Sequence, residues 1–247
     1  MTGTVTSLWR HPIKSHGREA LQSVSVQTGQ TMPGDRVWAV AHEASKADGS
    51  AWVPCANFSR VSKAPELMAM TAALDEATGR VTLHHPRLDD LDFDPEVDAD
   101  RFIAWVTPLM PADRAASAHI IRVPGRGMTD SDFPSVTLCS MASHRAVEQR
   151  LDQPLSIHRW RGNIWFDDLP LWEELDWIGR EVQVGAAVFG VREPTDRCVA
   201  TTANPETGQR DADTLGALAH WGHQDFSVRA EVLRAGEIRI GDKVQLL

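Results

Sequence analysis

The residue whose type and setting best suit chemistry is Cys198, in the segment EPTDRCVATTANPETG of residues 193–208. Arg197 precedes it directly, and a neighbouring guanidinium favours the thiolate over the thiol. A thiolate is the form of cysteine that binds a soft metal or acts as a nucleophile. Thr201 and Thr202 add hydrogen-bonding groups nearby. The segment indicates a metal-ligating or nucleophilic cysteine, and a buried small side chain is the alternative.

Two further segments offer cationic side chains that suit an anion. In RHPIKS, Lys14 and Ser15 place an ammonium and a hydroxyl side by side after Pro12, and this combination suits a phosphate oxygen. An exposed basic loop is the alternative there. In GDRVW, Arg36 begins a predicted strand. It is either an anion clamp or the partner of Asp35 in a structural ion pair.

The segment WRGNI adds polar groups with directional hydrogen bonding. Arg161 presents a planar fork of donors and Asn163 presents an amide, and together they either bind a ligand or cap the start of a strand. His220 and His223 have the spacing of one helical turn, which is compatible with metal ligation. Gly222 lies between them and argues against a continuous helix.

The composition excludes several classes of function. The formal net charge of −9 over 247 residues argues against a nucleic-acid partner, because phosphate binding needs clustered basic residues. Three cysteines with no CxxC pair are too few for the four thiolates of an iron–sulfur cluster. No haem motif and neither of the nucleotide motifs GxGxxG and GxxxxGK[ST] occurs.

The sequence also bears on location. No run of about 18 apolar residues occurs, so we expect no membrane-spanning segment. The first ten residues lack the basic start and apolar core of a signal peptide. We therefore expect a cytoplasmic protein with no membrane partner.

The elements that must position these residues are mainly short strands. Strand-like segments separated by turn residues predict a mixed, mainly β, barrel-like fold with a few helices. Residues 141–151 are predicted to form a helix with Ser140 as its N-cap. The segment Leu88–Asp100 is rich in aspartate but fits no calcium loop. We predict that it is a solvated linker and a domain boundary.

Taken in order, these motifs resemble the MOSC family, named for the C-terminal domain of molybdenum-cofactor sulfurase. HPIKS and GDRVW are similar to the family's N-terminal β-barrel domain, assigned here to residues 1–98. WRGNI, WEELDWIG, the RC-x-x-TT-x-x-P-x-TG segment and GEIRIGDKVQLL are similar to the MOSC domain itself, assigned to residues 99–247. The resemblance covers most of the chain. It implies a β-barrel-like MOSC fold preceded by a smaller β-barrel-like domain.

The resemblance also implies roles for particular residues. Cys198 falls where family members supply a thiolate to molybdenum, so it is the predicted metal ligand and catalytic residue. The predicted cofactor-binding residues are Lys14, Ser15, Arg36, Asp132, Arg161, Asn163, Asp196 and Arg197. The chain departs from many members at His16, where several have cysteine, and at Asn204, where aspartate is common. Phe133 and Arg229 also differ in residue type from relatives.

The function implied is that of a molybdenum-cofactor oxidoreductase that reduces N-hydroxylated small molecules such as amidoximes. Its cofactor would be molybdenum bound to molybdopterin. Because the cysteines are too few for an iron–sulfur cluster, electrons must come from an external ferredoxin-like or flavin reductase. The alternative is a carrier of the cofactor or of a persulfide sulfur that turns over no substrate, since an activated thiolate suits sulfur transfer equally well.

Overall fold

The computed structural model describes residues 2–247, and most of its regular structure is β-sheet. The strands are β1 (Thr2–Arg10), β2 (Glu19–Leu21), β3 (Ser23–Val26), β4 (Trp38–His42), β5 (Thr71–Leu74), β6 (Val81–His85), β7 (Leu88–Phe93), β8 (Ser117–Arg122), β9 (Val136–Ser140), β10 (Ile164–Asp167), β11 (Glu181–Val184), β12 (Ala187–Asp196), β13 (Asp225–Arg234), β14 (Gly236–Arg239) and β15 (Lys243–Leu246). The α-helices are α1 (Ala99–Val106), α2 (Met141–Leu151) and α3 (Thr214–Ala219). Short 3-10 helices lie at Cys55–Asn57, Pro65–Ala69, Thr107–Leu109, Ile157–Trp160, Glu173–Trp177 and Val199–Thr202.

A closed barrel is the largest unit of the fold. Hydrogen-bonded neighbours follow the order β10–β9–β13–β12–β11–β15–β1, and β1 pairs again with β10 to complete the ring. β2 extends the sheet beyond β1, and β9 and β10 form a parallel pair. The first strand of the chain is thus built into a barrel whose other strands come from the second half.

The barrel core follows from the alternation of apolar residues along the strands. In β13, Val228, Ala230 and Val232 are buried in the barrel core, while Arg229 between them is only partly buried. Successive side chains of a strand point to opposite faces of the sheet. Arg229 therefore lies on the outer face of the barrel, where the candidate site is found.

A second apolar core lies among two smaller sheets and α1. β4 pairs with β8, and β5, β6 and β7 form an antiparallel meander. α1 contributes Phe102 and Val106, which are fully buried. Ala203, from the segment that carries Cys198, belongs to the same core. This segment of the second half of the chain is thereby anchored against the first half.

The acidic stretch Leu88–Asp100 is not a linker, so that prediction is wrong. Its first half forms β7, in which Leu91 and Phe93 are buried and the aspartates before and between them face solvent. An antiparallel sheet with one solvated face accepts charged residues at alternate positions. The density of aspartates in the sequence conceals this alternation.

The division of the chain between residues 98 and 99 stays a prediction. β4 and β8 lie on opposite sides of that division and pair along most of their length. α1 begins at Ala99 and packs into the second core. The second core therefore draws on residues from both sides of the predicted boundary.

The predicted fold class is confirmed, since the structure is mainly β with a closed barrel and short helices. α2 begins after Ser140 as predicted, and the Ser140 hydroxyl accepts a hydrogen bond from the Ser143 N–H at 3.2 Å. Within residues 2–247, no helix is long and apolar enough to cross a membrane.

Candidate functional site

A cavity of about 930 Å³, measured out to its open mouth, lies where barrel loops meet the segment around residues 55–62. The predicted site residues that line it are Lys14, Ser15, Arg36, Arg161, Asn163, Asp196, Arg197 and Cys198. The fold therefore brings together four motifs that are far apart in the sequence.

The loop after β1 carries Lys14 and Ser15. The Lys14 backbone N–H donates to the Trp38 carbonyl at 2.8 Å, which holds the loop against β4. The Lys14 ammonium donates to the Met128 carbonyl at 2.7 Å and to the Asp130 carboxylate at 2.5 Å. Burial lowers the pKa of Lys14, and Asp130 opposes that shift. Lys14 is thus a buried cation with one ammonium hydrogen left for a ligand.

Arg36 both forms an ion pair and supports the cavity wall. Its guanidinium donates to the Asp35 carboxylate at 2.5 Å and to the Arg161 carbonyl at 3.0 Å. Asp35 is buried and also accepts from the His11 backbone N–H at 2.8 Å. Burial raises the pKa of Asp35, but Arg36 and His11 hold it well below its usual range. The structural ion pair is confirmed, and Arg36 also positions Arg161.

Arg161 is a cation without a carboxylate partner. Its guanidinium donates to the Gly17 carbonyl at 3.3 Å, and none of the ion pairs within residues 2–247 includes it. Burial, with repulsion from Arg36, lowers the pKa of Arg161 to about 9. An anion bound in the cavity would stabilise this charge.

Gly162 and Asn163 fix the backbone that carries Arg161. A Cβ atom on Gly162 would lie 2.2 Å from the Cys139 sulfur, so a larger residue does not fit. The side-chain amide oxygen Oδ1 of Asn163 accepts from the backbone N–H and hydroxyl of Thr137 at 3.1 and 3.0 Å. Its amide group donates to a backbone carbonyl of β1 at 3.2 Å. Asn163 therefore joins β1 to β9 in addition to lining the cavity.

Arg197 lies with its guanidinium against the barrel wall. It donates to the carbonyls of Phe226 and Trp160 at 2.6 and 2.9 Å and to the Ser227 hydroxyl at 2.7 Å. Burial lowers the pKa of Arg197 to about 10. None of the hydrogen bonds described for Arg197 reaches the sulfur of Cys198. Any effect of Arg197 on that thiol therefore acts through its charge.

Cys198 is the exposed cysteine of the cavity rim, in contrast to the buried Cys139. It directly precedes the 3-10 helix Val199–Thr202, and its carbonyl accepts from the backbone N–H and hydroxyl of Thr201 at 3.2 and 3.1 Å. These bonds fix the backbone while the thiol stays accessible to a ligand.

Arg210 ties the Cys198 loop to the first half of the chain. Its guanidinium donates to the Val199 carbonyl, to the Thr202 hydroxyl at 2.8 Å and to the Ser62 carbonyl at 3.0 Å. One side chain thereby bonds the residue after Cys198 and the segment at residues 60–62. The two sides of the cavity mouth are held together.

The structure places one predicted site residue, Asp132, outside the cavity. Asp132 is exposed and lies outside the cavity, and its backbone carbonyl accepts from Arg126 at 2.7 Å. Asp130, two residues earlier, lines the cavity instead. Burial raises the pKa of Asp130, but Lys14 lowers it to about 2, so this carboxylate is ionised. The sequence TDSDF contains both aspartates and gives no local signal that distinguishes them.

The cavity is cationic although the chain is acidic. Seven lining residues are lysine or arginine and two are aspartate, whereas the formal net charge of the chain is −9. Arg60 and Arg159 line the cavity although no motif predicted them, and Arg229 lines it although its residue type differs from that of relatives. Arg159 lies two residues before Arg161, so its motif offered a signal, but Arg60 stands in no recognisable motif.

Strained backbone coincides with the predicted cofactor-binding residues. Ser15, Arg36 and Arg161 have positive φ angles of 65°, 51° and 50°. Residues other than glycine rarely adopt this conformation, which costs of order 1–3 kcal/mol and clusters at functional sites. Three of the seven non-glycine residues with positive φ in the described part of the chain are thus residues that the motifs assign to the cofactor.

Protein side chains alone provide no metal centre in the described part of the chain. No group of three or more His, Cys, Asp or Glu side chains is arranged to hold a metal ion within residues 2–247. His223 accepts from the Asp225 N–H at 3.2 Å and packs edge-on against Trp172, which favours a structural role over ligation. A metal on Cys198 would take its other ligands from a bound cofactor.

The fold and site together define a class of protein. A closed β-barrel and a second β-rich unit enclose a cationic cavity with an accessible cysteine at its rim. A family model of the MOSC domain matches residues 128–245, and one of the MOSC N-terminal beta barrel domain matches residues 2–116. The chain belongs to the MOSC domain family. Membership associates it with the molybdenum cofactor.

Individual relatives are distant. The chain is 23% identical over 150 residues to a molybdenum cofactor sulfurase of Drosophila ananassae. The matched region covers 58% of this chain and 17% of that protein. The crystal structure of the YuaD protein from Bacillus subtilis covers 99% of this chain and 94% of that one, with a TM-score of 0.51 and 12% identity. YiiM from Geobacillus stearothermophilus covers 44% of this chain and 53% of that one, with a TM-score of 0.34 and 22% identity. The similarity to YuaD supports the assignment of the fold and no statement about function.

Proposed function

We propose that the protein binds molybdenum held by molybdopterin and uses it to reduce N-hydroxylated small molecules. The observation that carries the proposal is the charge of Arg161. This cation lies in a cavity with the accessible Cys198, has no carboxylate partner among the described residues, and has a left-handed backbone. The phosphate of molybdopterin would supply the missing negative charge.

Residues of the chain would hold the cofactor at both of its ends. Cys198 would give a thiolate to the metal, which is the ligand type that soft metals prefer. Ser15, Arg36 and Arg161 would bind the phosphate and pterin through hydroxyl and guanidinium donors. Lys14 would add its free ammonium hydrogen and Asp130 would keep it in place. When bound, the cofactor supplies two-electron redox chemistry.

The proposed reaction needs a second protein. Reduction of an amidoxime to an amidine breaks the N–O bond, consumes two electrons and two protons, and releases water. The electrons would come from an external ferredoxin-like or flavin reductase, since three cysteines are too few for an iron–sulfur cluster. The proposal assigns the reaction to the cytoplasm and to a small-molecule substrate, with neither nucleic acid nor a membrane as partner.

An activity assay tests the proposal. The protein is produced in a host that makes the cofactor, its molybdenum content is measured, and benzamidoxime reduction is followed with an artificial electron donor. We expect formation of benzamidine by the loaded wild type and none by Cys198→Ser. No product from wild type with full molybdenum occupancy would refute the reductase proposal.

The exposure of Cys198 favours a second candidate function, that of a sulfur or cofactor carrier. Its thiol is accessible at the cavity rim and caps no backbone N–H of the following helix, so a partner protein can reach it. The match to a molybdenum cofactor sulfurase is compatible with this role. Intact-protein mass spectrometry decides, because a persulfide adduct on Cys198 supports the carrier and unmodified Cys198 with bound molybdopterin supports the reductase.

A further inference from the structure

One side of the cavity is formed by residues that the cofactor assignment does not use. Cys55, Arg60 and Ser62 line it, and they come from a segment of the second core. The backbone there is fixed because the Ser59 N–H donates to the Val40 carbonyl at 2.8 Å. This wall is available to a second molecule beside the cofactor.

Arg60 brings an uncompensated positive charge to this wall. One of its nitrogens donates to the Cys55 sulfur at 3.0 Å, and sulfur is a weak acceptor. No ion pair of the described residues includes Arg60. By contrast, four other cavity cations have carboxylate partners, namely Lys14 with Asp130, Arg36 with Asp35, Arg159 with Asp211, and Arg229 with Glu193.

Arg60 is also held close to the Cys198 loop. The Arg210 guanidinium bonds the Ser62 carbonyl at 3.0 Å and, from the same group, the Val199 carbonyl. These two acceptors lie two residues after Arg60 and one residue after Cys198. Arg60 and Cys198 both line the same cavity.

We propose that Arg60 is a specificity-determining residue that binds a carboxylate of the substrate. A guanidinium matches the two oxygens of a carboxylate with two parallel hydrogen bonds. The inference rests on the proposed function, and it narrows the substrate to N-hydroxylated compounds that also carry a carboxylate. Arg161 and the cofactor-binding loops leave Arg60 as the cation free for this group.

Calorimetry on the molybdenum-loaded protein tests this inference without turnover. We compare binding of 4-carboxybenzamidoxime and benzamidoxime to wild type, Arg60→Gln and Lys63→Gln. Lys63→Gln is the matched control because Lys63 is an exposed cation three residues away and does not line the cavity. Charge-assisted bonds contribute about 1.5–3 kcal/mol, so wild type and Lys63→Gln should bind the carboxylated ligand about 10- to 100-fold more tightly.

Arg60→Gln should lose most of that preference, and Arg60→Lys should keep part of it through its charge. Equal affinity of wild type for the two ligands would overturn the inference, as would an unchanged preference in Arg60→Gln. Loss of molybdenum from Arg60→Gln, with unaltered circular dichroism, would instead assign Arg60 to the cofactor and also overturn it. If the predicted binding pattern is found and a separate assay with an artificial electron donor shows no reduction of either ligand, the carboxylate role of Arg60 is supported and the reductase proposal is refuted.

Discussion

At the scale of single residues, the two remaining cysteines differ from Cys198 in what surrounds the sulfur. Cys139 is fully buried, and burial raises its pKa to about 12, so it stays a neutral thiol. Cys55 lines the cavity but is only partly exposed and accepts a hydrogen bond from Arg60. Only the Cys198 position combines exposure, a rigid backbone and proximity to the proposed cofactor loops.

The first prediction concerns these thiols. Cys198→Ser should lose most bound molybdenum, because loss of a ligand costs at least as much as loss of an outer-shell partner, roughly 10- to 100-fold in affinity. Cys55→Ser is the matched control, and it should retain the metal. Elemental analysis and fluorescence of the released oxidised pterin measure both. Equal metal content in wild type and Cys198→Ser would refute Cys198 as the ligand.

The second prediction concerns Glu174, a buried carboxyl group whose pKa burial raises to about 7. The Ser143 hydroxyl donates to one carboxyl oxygen at 3.0 Å, and the other oxygen has no partner among the described residues. Because the pKa in the folded state lies above its unfolded value, this group's stabilisation is complete below about pH 4.5. As the pH rises from about 4.5 to about 7, the contribution of Glu174 to the free energy of unfolding falls by roughly 3 kcal/mol.

Chemical denaturation at several pH values checks this. The stability of Glu174→Gln relative to wild type should increase between pH 4.5 and 7 and then level off. The comparison cancels the opposite trend of buried histidines such as His16, whose pKa burial lowers to about 4. Glu181→Gln, a change of an exposed glutamate in β11, is the control. A constant difference between Glu174→Gln and wild type over this pH range would contradict the assignment.

At the scale of elements, the position of Arg161 depends on how closely its segment approaches β9. Gly162 lies against Cys139, and a Cβ atom there would approach that sulfur to 2.2 Å and the Trp165 ring nitrogen to 3.3 Å. This close approach brings the Asn163 side chain within hydrogen-bonding distance of Thr137 in β9. Gly162 does not line the cavity, but its small size determines where Arg161, a predicted cofactor-binding residue, is positioned.

The third prediction is a double-mutant cycle on this contact. Gly162→Ala should destabilise the protein by about 1–3 kcal/mol through overpacking. In a Cys139→Ala background the same change should cost clearly less, since the nearest atom has been removed. Urea unfolding of the four proteins gives the coupling energy. Additive effects would show that the sulfur contact does not limit residue 162.

Local patterns explain which elements could be predicted from the sequence. α2 was predicted with its N-cap because Ser140 acts on the adjacent turn. The segment at residues 65–74 has no such local signal, and there Pro65–Ala69 is a 3-10 helix that β5 follows. A run of consecutive buried residues has no hydrophobic periodicity that would distinguish a short helix from a strand.

The site was predictable only where motifs marked it. Lys14, Arg36 and Arg161 were found by resemblance, and the structure brings them to one cavity. Arg60 was not found because its role depends on the contact between its segment and the Cys198 loop. The sequence does not show that Asp130 lines the cavity while Asp132 does not, because Asp130 is held there by Lys14, more than a hundred residues away.

At the scale of the whole molecule, the chain carries a net negative charge whereas its cavity is lined mainly by cations. The formal net charge of −9 disfavours general association with polyanions. Seven cations line the cavity, and three of them, Arg60, Arg161 and Arg197, have no carboxylate partner among the described residues, so the cavity favours a small anion. Filling the cavity with an anion should therefore stabilise the whole fold, because a ligand that binds only the folded state raises its stability.

The last prediction follows from this linkage. Phosphate added to cofactor-free protein should raise the Tm more than chloride at equal ionic strength. At about 100-fold above its Kd the gain is about 2.7 kcal/mol, or roughly 5–10 °C for a chain of this size. Arg161→Gln should be more stable than wild type without phosphate, because it removes a half-buried charge that has no carboxylate partner, and should gain less from phosphate. General exclusion of phosphate from protein surfaces stabilises both proteins alike, so equal shifts in wild type and Arg161→Gln would show that the cavity binds no phosphate.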